Sequence, residues 1–321
     1  MADRMLADAG KDDQIELIGS GRVAPADYPA QNEPNINNTN LNERAKQVDF
    51  SKHQGLSKKE QIAIAKFESH DLSQLSNASL MDRVDTKFIV PRALLSSMLA
   101  KLQTEYTVLE INGQRTSLYE NSYYDTPSFK HYMAHHNRRS NRFKLRKRTY
   151  CDSAIAFLEI KFKNNRGRTV KSRRSVAMDD SALNTNNQEL MQESGLTSFD
   201  EHQVVQTSSY NRIALANEAA GERLTIDLNL HVHDTSTNKQ FDIGDWAIVE
   251  IKQNVYDRDT TFFRWARSHG LRTCSFSKYC MGLYYTGPDA LKRNNFHKIN
   301  RHIESAARKF ATIIAKPLTI Y

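Results

Sequence analysis

Glycine, cysteine and long apolar runs are what this chain has least of, and each shortage removes a class of function. With 12 glycines in 321 residues and no Gly-x-x-x-x-Gly-Lys-Ser/Thr segment, it has no glycine cradle for a nucleotide. Its three cysteines, Cys151, Cys274 and Cys280, form neither a Cys-x-x-Cys pair nor an even framework. That suits a reducing compartment and argues against a structural zinc site. No apolar run approaches the roughly 20 residues that cross a bilayer as a helix, and the opening MADRMLADAGKDDQIELIG has no apolar signal core. A cytoplasmic protein is the expectation. His131, His135 and His136 in HYMAHHN lack His-Glu-x-x-His spacing, so they are expected to be ordinary helix or loop histidines. No Ser/His/Asp or Cys/His nucleophile stands out.

Positive charge, by contrast, is abundant and localised. The chain carries 45 Lys and Arg against 37 Asp and Glu, a formal net of +8, so its natural partners are anions: nucleic acid, a membrane surface or phosphorylated small molecules. Between Arg138 and Arg174 stand 14 basic residues and two acids, Asp152 and Glu159, a local net of +12. The other 31 basic and 35 acidic residues net −4. A solubilising coat would be spread out; this charge is gathered in one segment. In NRFKLRKRTY, Arg142, Lys144, Arg146 and Arg148 occupy every second position.

At 39% hydrophobic residues the chain can bury the core of one large domain or two ordinary ones. Residues 1–55, rich in Asn and Pro and poor in aromatics, read as a disordered leader. Order is expected from GLSKKEQIAIAKFE, where Ser57 and Glu60 have capping-box spacing. Six period-two segments follow: RVDTKFIV, SLYENSYYDT, RFKLRKRTY, AIAFLEIKFK, RLTIDLNLHV and WAIVEIKQ. They predict an antiparallel sheet, closed or nearly so. PRALLSSMLAKLQTEY reads as a helix with Pro91 in its first turn, TTFFRWARSHG as another, and 178–209 as a polar connection holding a short helix. The tail, 286–321, carries a basic amphipathic helix with Ile299, Ile303, Ala306, Phe310 and Ile313 on one stripe. The fold class is therefore α+β: an antiparallel β-barrel tunnel with flanking helices, over residues 56–285.

On a strand, alternate residues share a face. Arg83, Asp85 and Lys87 then lie together, as do Glu159, Lys161 and Lys163, and Glu250 and Lys252. Arg223, Thr225, Asp227 and Asn229 form one face against Leu224, Ile226, Leu228 and Leu230. If the apolar faces pack under helices, the charged faces meet inside a barrel. A lumen lined by cations repels itself unless it holds an anion, so its occupant should be polyanionic. The acids have two readings: each pairs with a lumen cation, or Glu159, Asp227 and Glu250 hold Mg2+ or Mn2+, hard ions that bridge phosphate oxygens. Glu250 is the foremost candidate ligand.

With these residues in view, the chain resembles the VTC domain, the polyphosphate polymerase branch of the triphosphate tunnel metalloenzymes. LMDRVDTKFIVP resembles that family's first strand, whose Arg and Lys, here Arg83 and Lys87, reach phosphates. SYYDTPSFKHYMAHH resembles its tyrosine, aspartate and threonine segment. KLRKRTY resembles the strand with alternating arginines, Arg146 and Arg148; FLEIKFK resembles the Glu-x-Lys strand, with Glu159 and Lys161. SYNRIAL gives Tyr210 and Arg212, LTIDLNL the Thr-x-Asp strand, AIVEIKQ the metal-binding Glu250 with Lys252, and SFSKYCMG Lys278 after Ser277. Where the wider superfamily reads Glu-x-Glu-x-Lys, this chain reads Arg-Val-Asp-Thr-Lys, which leaves fewer acids for a two-metal site.

The resemblance implies transfer of the terminal phosphoryl group of ATP to a growing polyphosphate chain. Arg83, Lys87, Arg146, Arg148, Lys161, Arg212 and Lys278 would clamp phosphates, and Glu250 would hold the metal. Lys144 and Lys163 would guide the chain outward. The alternatives are a tripolyphosphatase, and a binding module for polyphosphate or inositol phosphates. A nucleic-acid partner is set aside because acids interrupt the basic stripe and no recognised motif is present. Threading of the product into a membrane, known in the eukaryotic family, leaves room for an integral-membrane partner and a peripheral place at the inner membrane.

Overall fold

The computed structural model describes residues 55–74, 83–178, 183, 187–196 and 201–321. The expected leader lies outside them. In chain order the elements are α1 (Lys58–Ala65), β1 (Ser69–His70), β2 (Val84–Pro91), α2 (Leu95–Leu102), β3 (Thr107–Leu109), β4 (Ser117–Asp125), α3 (Lys130–His136), β5 (Arg142–Tyr150), β6 (Ile155–Lys163) and β7 (Thr169–Val176). They continue with α4 (Gln188–Glu193), β8 (Gln203–Asn217), β9 (Glu222–Asp234), β10 (Gln240–Asp242), β11 (Trp246–Gln253), α5 (Thr261–Ser268), α6 (Lys278–Thr286), α7 (His297–Lys309) and β12 (Thr319–Ile320). Pro91 ends β2 rather than opening a helix; a 3-10 turn, Arg92–Leu94, intervenes.

All six alternating segments are strands, and all but one of the pairings in the sheet are antiparallel, the exception being β1 with β3. Through its main body the sheet runs β2-β11-β9-β8-β4-β5-β6-β7. Hydrogen bonding does not close it: at the ends of this run β2 pairs only with β11 and β7 only with β6. Curvature brings the ends together instead. One source is a bulge at which Tyr210 of β8 faces the two residues Asn229 and Leu230 of β9, with Asn229 left-handed at φ 54°. Covering the β2 edge, Thr273 bridges Phe88 and the Cys274 N–H donates to the Lys87 carbonyl at 2.7 Å.

The bulge corrects one expectation. Alternation places Asn229 beside Asp227 and Leu230 beside Leu228, but the extra residue shifts the phase. Asn229 instead accepts from Arg92 at 2.6 Å and donates to Asn211 at 2.9 Å, while Leu230 joins a different cluster from Leu224, Ile226 and Leu228.

Three cores hold the sheet from outside and from one end. The outer faces of β2, β8, β9 and β11 pack under α2 and α5 through Val90, Leu99, Ile213, Leu224, Val249 and Phe262. Each such fully buried side chain stabilises by roughly 1.5–3 kcal/mol. Leu145, Leu158 and Ile160, on the outer face of β5 and β6, pack against Leu190 and Met191 of α4. The third core gathers α3, α6 and α7 against Ile89, Tyr123, Leu230, Val232 and Ile248 and plugs part of one end. Ile303 of α7 is buried in it, while Ile313 of the predicted stripe is 40% exposed. The capping box at α1 is present: Glu60 N–H donates to Ser57 Oγ at 3.3 Å and Ser57 N–H to Glu60 Oε2 at 2.7 Å.

Candidate functional site

The inner face of the curved sheet is where register gathers the charge. Glu250 lies opposite Lys87 on one side and Thr225 on the other; Arg212 lies opposite Asp227; Tyr119 lies opposite Tyr210. Across β4 to β7, Tyr123 meets Arg146, Asn121 meets Arg148, Arg146 meets Glu159, Glu159 meets Arg173, and Lys144, Lys161 and Lys171 form a row. Ser277 and Lys278, where α6 begins, complete the ring: Lys144 Nζ donates to Ser277 Oγ at 3.0 Å, and Lys278 sits 4.3 Å over the Tyr210 ring.

Glu159, Asp227 and Glu250 each hold two cations. Glu159 accepts from Arg146 at 2.7 and 2.5 Å and pairs with Lys171 at 2.7 Å. Asp227 accepts from Arg212 at 2.6 and 2.8 Å and from Lys278. Glu250 pairs with Lys87 at 2.5 Å and with Lys252 at 3.1 Å. Burial alone would raise these carboxyls; at Glu159 Arg146, Arg148 and Lys171 pull it well below its ordinary value, at Asp227 Arg212 and Lys278, and at Glu250 Lys252 and Lys87. All three stay ionised, and cations still outnumber them.

The surplus falls on particular side chains. Among the described residues Arg148 has no ion pair with a carboxylate; it donates to Asn121 Oδ1 and to the Tyr210 hydroxyl, each at 3.0 Å. Burial would raise the Tyr210 phenol, but Arg148, Arg212 and Lys278 bring it below its ordinary value. Lys161 has no ion pair among the described residues, and burial followed by Arg146 brings it down to about 7, with Glu250 acting the other way. The curl of the sheet shows in contacts: Lys144 of β5 reaches Ser277, and Lys278, the next residue, reaches Asp227 of β9, three strands away from β5 along the sheet. Burial, then neighbouring Lys87, also lower Lys144.

Of the residues singled out in the sequence, Lys87, Lys144, Arg146, Arg148, Glu159, Lys161, Tyr210, Arg212, Asp227, Glu250, Lys252, Ser277 and Lys278 come together by these contacts. Arg83, bonded to Asp85 at 2.9 Å, sits at one rim, and Lys163 sits at the opposite rim beside Arg142. The carboxylates do not converge: among the described residues no three of His, Cys, Asp or Glu could share an ion. Glu250 is the most accessible, with 17% of its side chain exposed against 1% for Glu159 and 3% for Asp227. This donor set fits a divalent ion that takes one carboxylate from the protein and most of its other oxygens from phosphate and water.

Sequence reasoning missed Lys171 and Arg173, because β7 has no apolar face to reveal it as a strand; the signal was the alternation in TVKSRRSV. It gave no role to the wall of Tyr119, Asn121 and Tyr123; the aspartate of SYYDT, Asp125, is fully buried. The oxygens of Asp125 accept from the N–H groups of Thr126, His131 and Tyr132 and from the Tyr279 hydroxyl. Asp125 thereby ties α3 to α6, and Tyr279 adjoins Lys278.

A family model described as the VTC domain matches residues 82–286. No curated protein matches the chain. Among solved structures it is similar to a putative adenylate cyclase from Bacillus halodurans, at 15% identity over 61% of this chain and 93% of that one, TM-score 0.42. Another is a putative adenylyl cyclase from Hippeastrum with a dominant triphosphatase activity, at 13% identity over 62% and 93%, TM-score 0.38. A conserved hypothetical protein from Pyrococcus furiosus has 15% identity over 60% and 92%, TM-score 0.32.

Proposed function

The chain belongs to the VTC domain family, and from that premise we propose that it is a phosphate-chain enzyme that transfers the terminal phosphoryl group of ATP to a growing polyphosphate within the channel. One observation carries the reading: cations of β2, β5, β6, β8, β11 and α6 face a common space in excess of the carboxylates there. Only a polyanion relieves such a surplus.

Phosphoryl transfer asks for alignment and charge neutralisation more than for covalent chemistry. Arg146, Arg148, Lys161 and Arg212 would hold the chain of phosphates in line, with Lys87 and Lys278 on the remaining sides. The planar guanidinium of Arg212 and the carboxylate of Asp227 form a two-point pair, so Arg212 is pre-oriented before substrate arrives. Glu250 would hold Mg2+ or Mn2+, and when bound the ion neutralises charge on the leaving diphosphate. Lys87 and Lys252, which pair with Glu250, would stand beside that site to meet phosphate oxygens. Glu159, Asp227 and Glu250 are each already held by cations, so none of these three carboxylates is free to activate water.

The test is to incubate the protein with ATP and Mn2+ and resolve the products on a gel stained for polyphosphate. A metal-dependent ladder that Glu250→Gln abolishes is the expected result, with tripolyphosphate binding retained in the variant. Free phosphate from tripolyphosphate without a ladder would make the enzyme a tripolyphosphatase. Binding without either product would leave a polyphosphate-binding module.

A further inference from the structure

We propose that Tyr150 and Phe157 form a stacking platform for the nucleobase of the phosphoryl donor, so that the protein takes purine nucleoside triphosphates without reading the edge of the base. This rests on the reading above and adds to it a subsite for the uncharged part of the donor, with the class of nucleotide that it selects.

Among the described elements, α3 and α6 stand at the Lys144 end of the channel: Ser277 meets Lys144 there, and the turn at 137–141 leads from α3 into β5. A nucleoside is wider than a phosphate chain, so its place is toward the other end, where β5 and β6 turn back on each other at 151–154. One step toward that end from Arg148 and Glu159, the inner face changes from charge to aromatic rings. Tyr150 lies two residues beyond Arg148 and opposite Tyr119, their ring centroids 4.9 Å apart. Phe157 lies two residues before Glu159, in register with Arg148 and Ser175. Tyr150 and Phe157 meet edge to face, with centroids 6.0 Å apart and planes at 88°.

Phosphates do not account for these rings. Phe157 has no polar atom to offer an anion, and both rings are only half-buried, so each gives up part of the gain of full burial. A flat group already rests on one of them: the exposed guanidinium of Arg173 lies over Phe157, 4.9 Å from the ring centroid, so that face is within reach of a planar partner. At the same step outward from Arg212 and Asp227, β8 and β9 carry the small Ala214 and Thr225, which leave space beside the rings. Two residues along a strand span about 6.6 Å, room for a ribose between phosphates held at Arg148 and a base at the platform. The cross-strand neighbours of the two rings are Tyr119, Ile155, Arg148 and Ser175. None is an amide or a carboxylate that could match the edge of one base against another. Stacking without such readout tolerates any base and favours the larger purine rings.

The experiment is titration calorimetry with ATP, GTP, UTP and tripolyphosphate, with EDTA present to prevent turnover. Wild-type protein should bind ATP and GTP within about twofold of each other and about fivefold more tightly than UTP. Tyr150→Leu/Phe157→Leu, which keeps apolar bulk but removes both rings, should bind tripolyphosphate as the wild type does and ATP and GTP about tenfold more weakly, level with UTP. Phe157→Trp, which keeps a ring, should hold ATP at least as tightly as the wild type. If the double variant does not fold, Phe157→Leu alone should show a loss of the same kind, about threefold. Equal affinity of the wild type for ATP and UTP, equal losses of ATP and tripolyphosphate in the leucine variants, no loss of either, or a loss of ATP in Phe157→Trp as large as in Phe157→Leu would overturn the proposal. Wild-type protein that binds none of the four ligands would instead overturn the functional reading beneath it.

Discussion

Lys161 shows how a single residue in this channel should report on its ligand. Its ordinary value is near 10.5, and in the folded protein it is brought down to about 7. Between those two pH values the unfolded chain holds a proton that the folded one lacks, so this lysine makes stability rise with pH across that window. A polyanion beside it reverses the balance and recharges the amine. Binding of tripolyphosphate near pH 8 should therefore take up close to one proton, read from calorimetry in two buffers of different ionisation enthalpy. Lys161→Met should remove most of the uptake; unchanged uptake would mean that other groups are responsible. The residue itself was legible in FLEIKFK, as its alternation with Glu159 and Lys163 shows. Its lack of an ion pair among the described residues was not, because Lys161 stands two positions from an acid that turns out to hold Arg146 and Lys171.

Among the elements, α6 depends most on close packing. Its N-terminal Ser277 accepts from both Lys144 and the Cys280 N–H, Lys278 reaches Asp227, and Tyr279 bonds Asp125 and stacks on Tyr123. Halfway along, Gly282 lies against β8 and β9: a Cβ there would stand 2.8 Å from Val232 Cγ1 and closer still to the buried Gln206 side chain. Gly282→Ala should therefore push the helix outward at about 1–3 kcal/mol. A lowered Tm together with weaker tripolyphosphate binding is expected, because Lys278 moves with the helix. A lowered Tm with unaltered binding would uncouple the two. The longest strand, β8, was anticipated only in its middle, SYNRIAL; its first turns lie in the stretch read as a polar connection. Gln203 to Ser209 are polar at five of seven positions and run polar from Gln206 to Ser209, on a strand that neighbours cover on both sides, and only pairing with β4 and β9 makes that burial possible.

The whole molecule stores like-charge repulsion inside a shell that helices hold from outside, so ligand and stability should be coupled. Tripolyphosphate at about a hundred times its dissociation constant should stabilise the fold by about 2.7 kcal/mol and raise Tm by roughly 5–10 °C. Differential scanning calorimetry checks this, and a neutral triol at equal concentration should give no shift. No helix among the described residues is long and apolar enough to cross a membrane.

What the sequence determined by itself follows from local rules. Period-two alternation marks strands and their charged faces, capping chemistry marks α1, and the order of the motifs marks the family; all are carried by neighbours along the chain. What only the tertiary structure decided is non-local. The bulge opposite Tyr210 turns Asn229 and Leu230 away from the faces that alternation assigns them. Curvature without a closing hydrogen-bonded ladder brings Lys144 of β5 and Asp227 of β9 to adjoining residues of α6. Pairing gives Glu159, Asp227 and Glu250 two cations each, drawn from different elements. Alternation fixes the side of a strand on which a charge lies, but which charge it meets there depends on register and curvature, and those are settled by packing across the whole sheet.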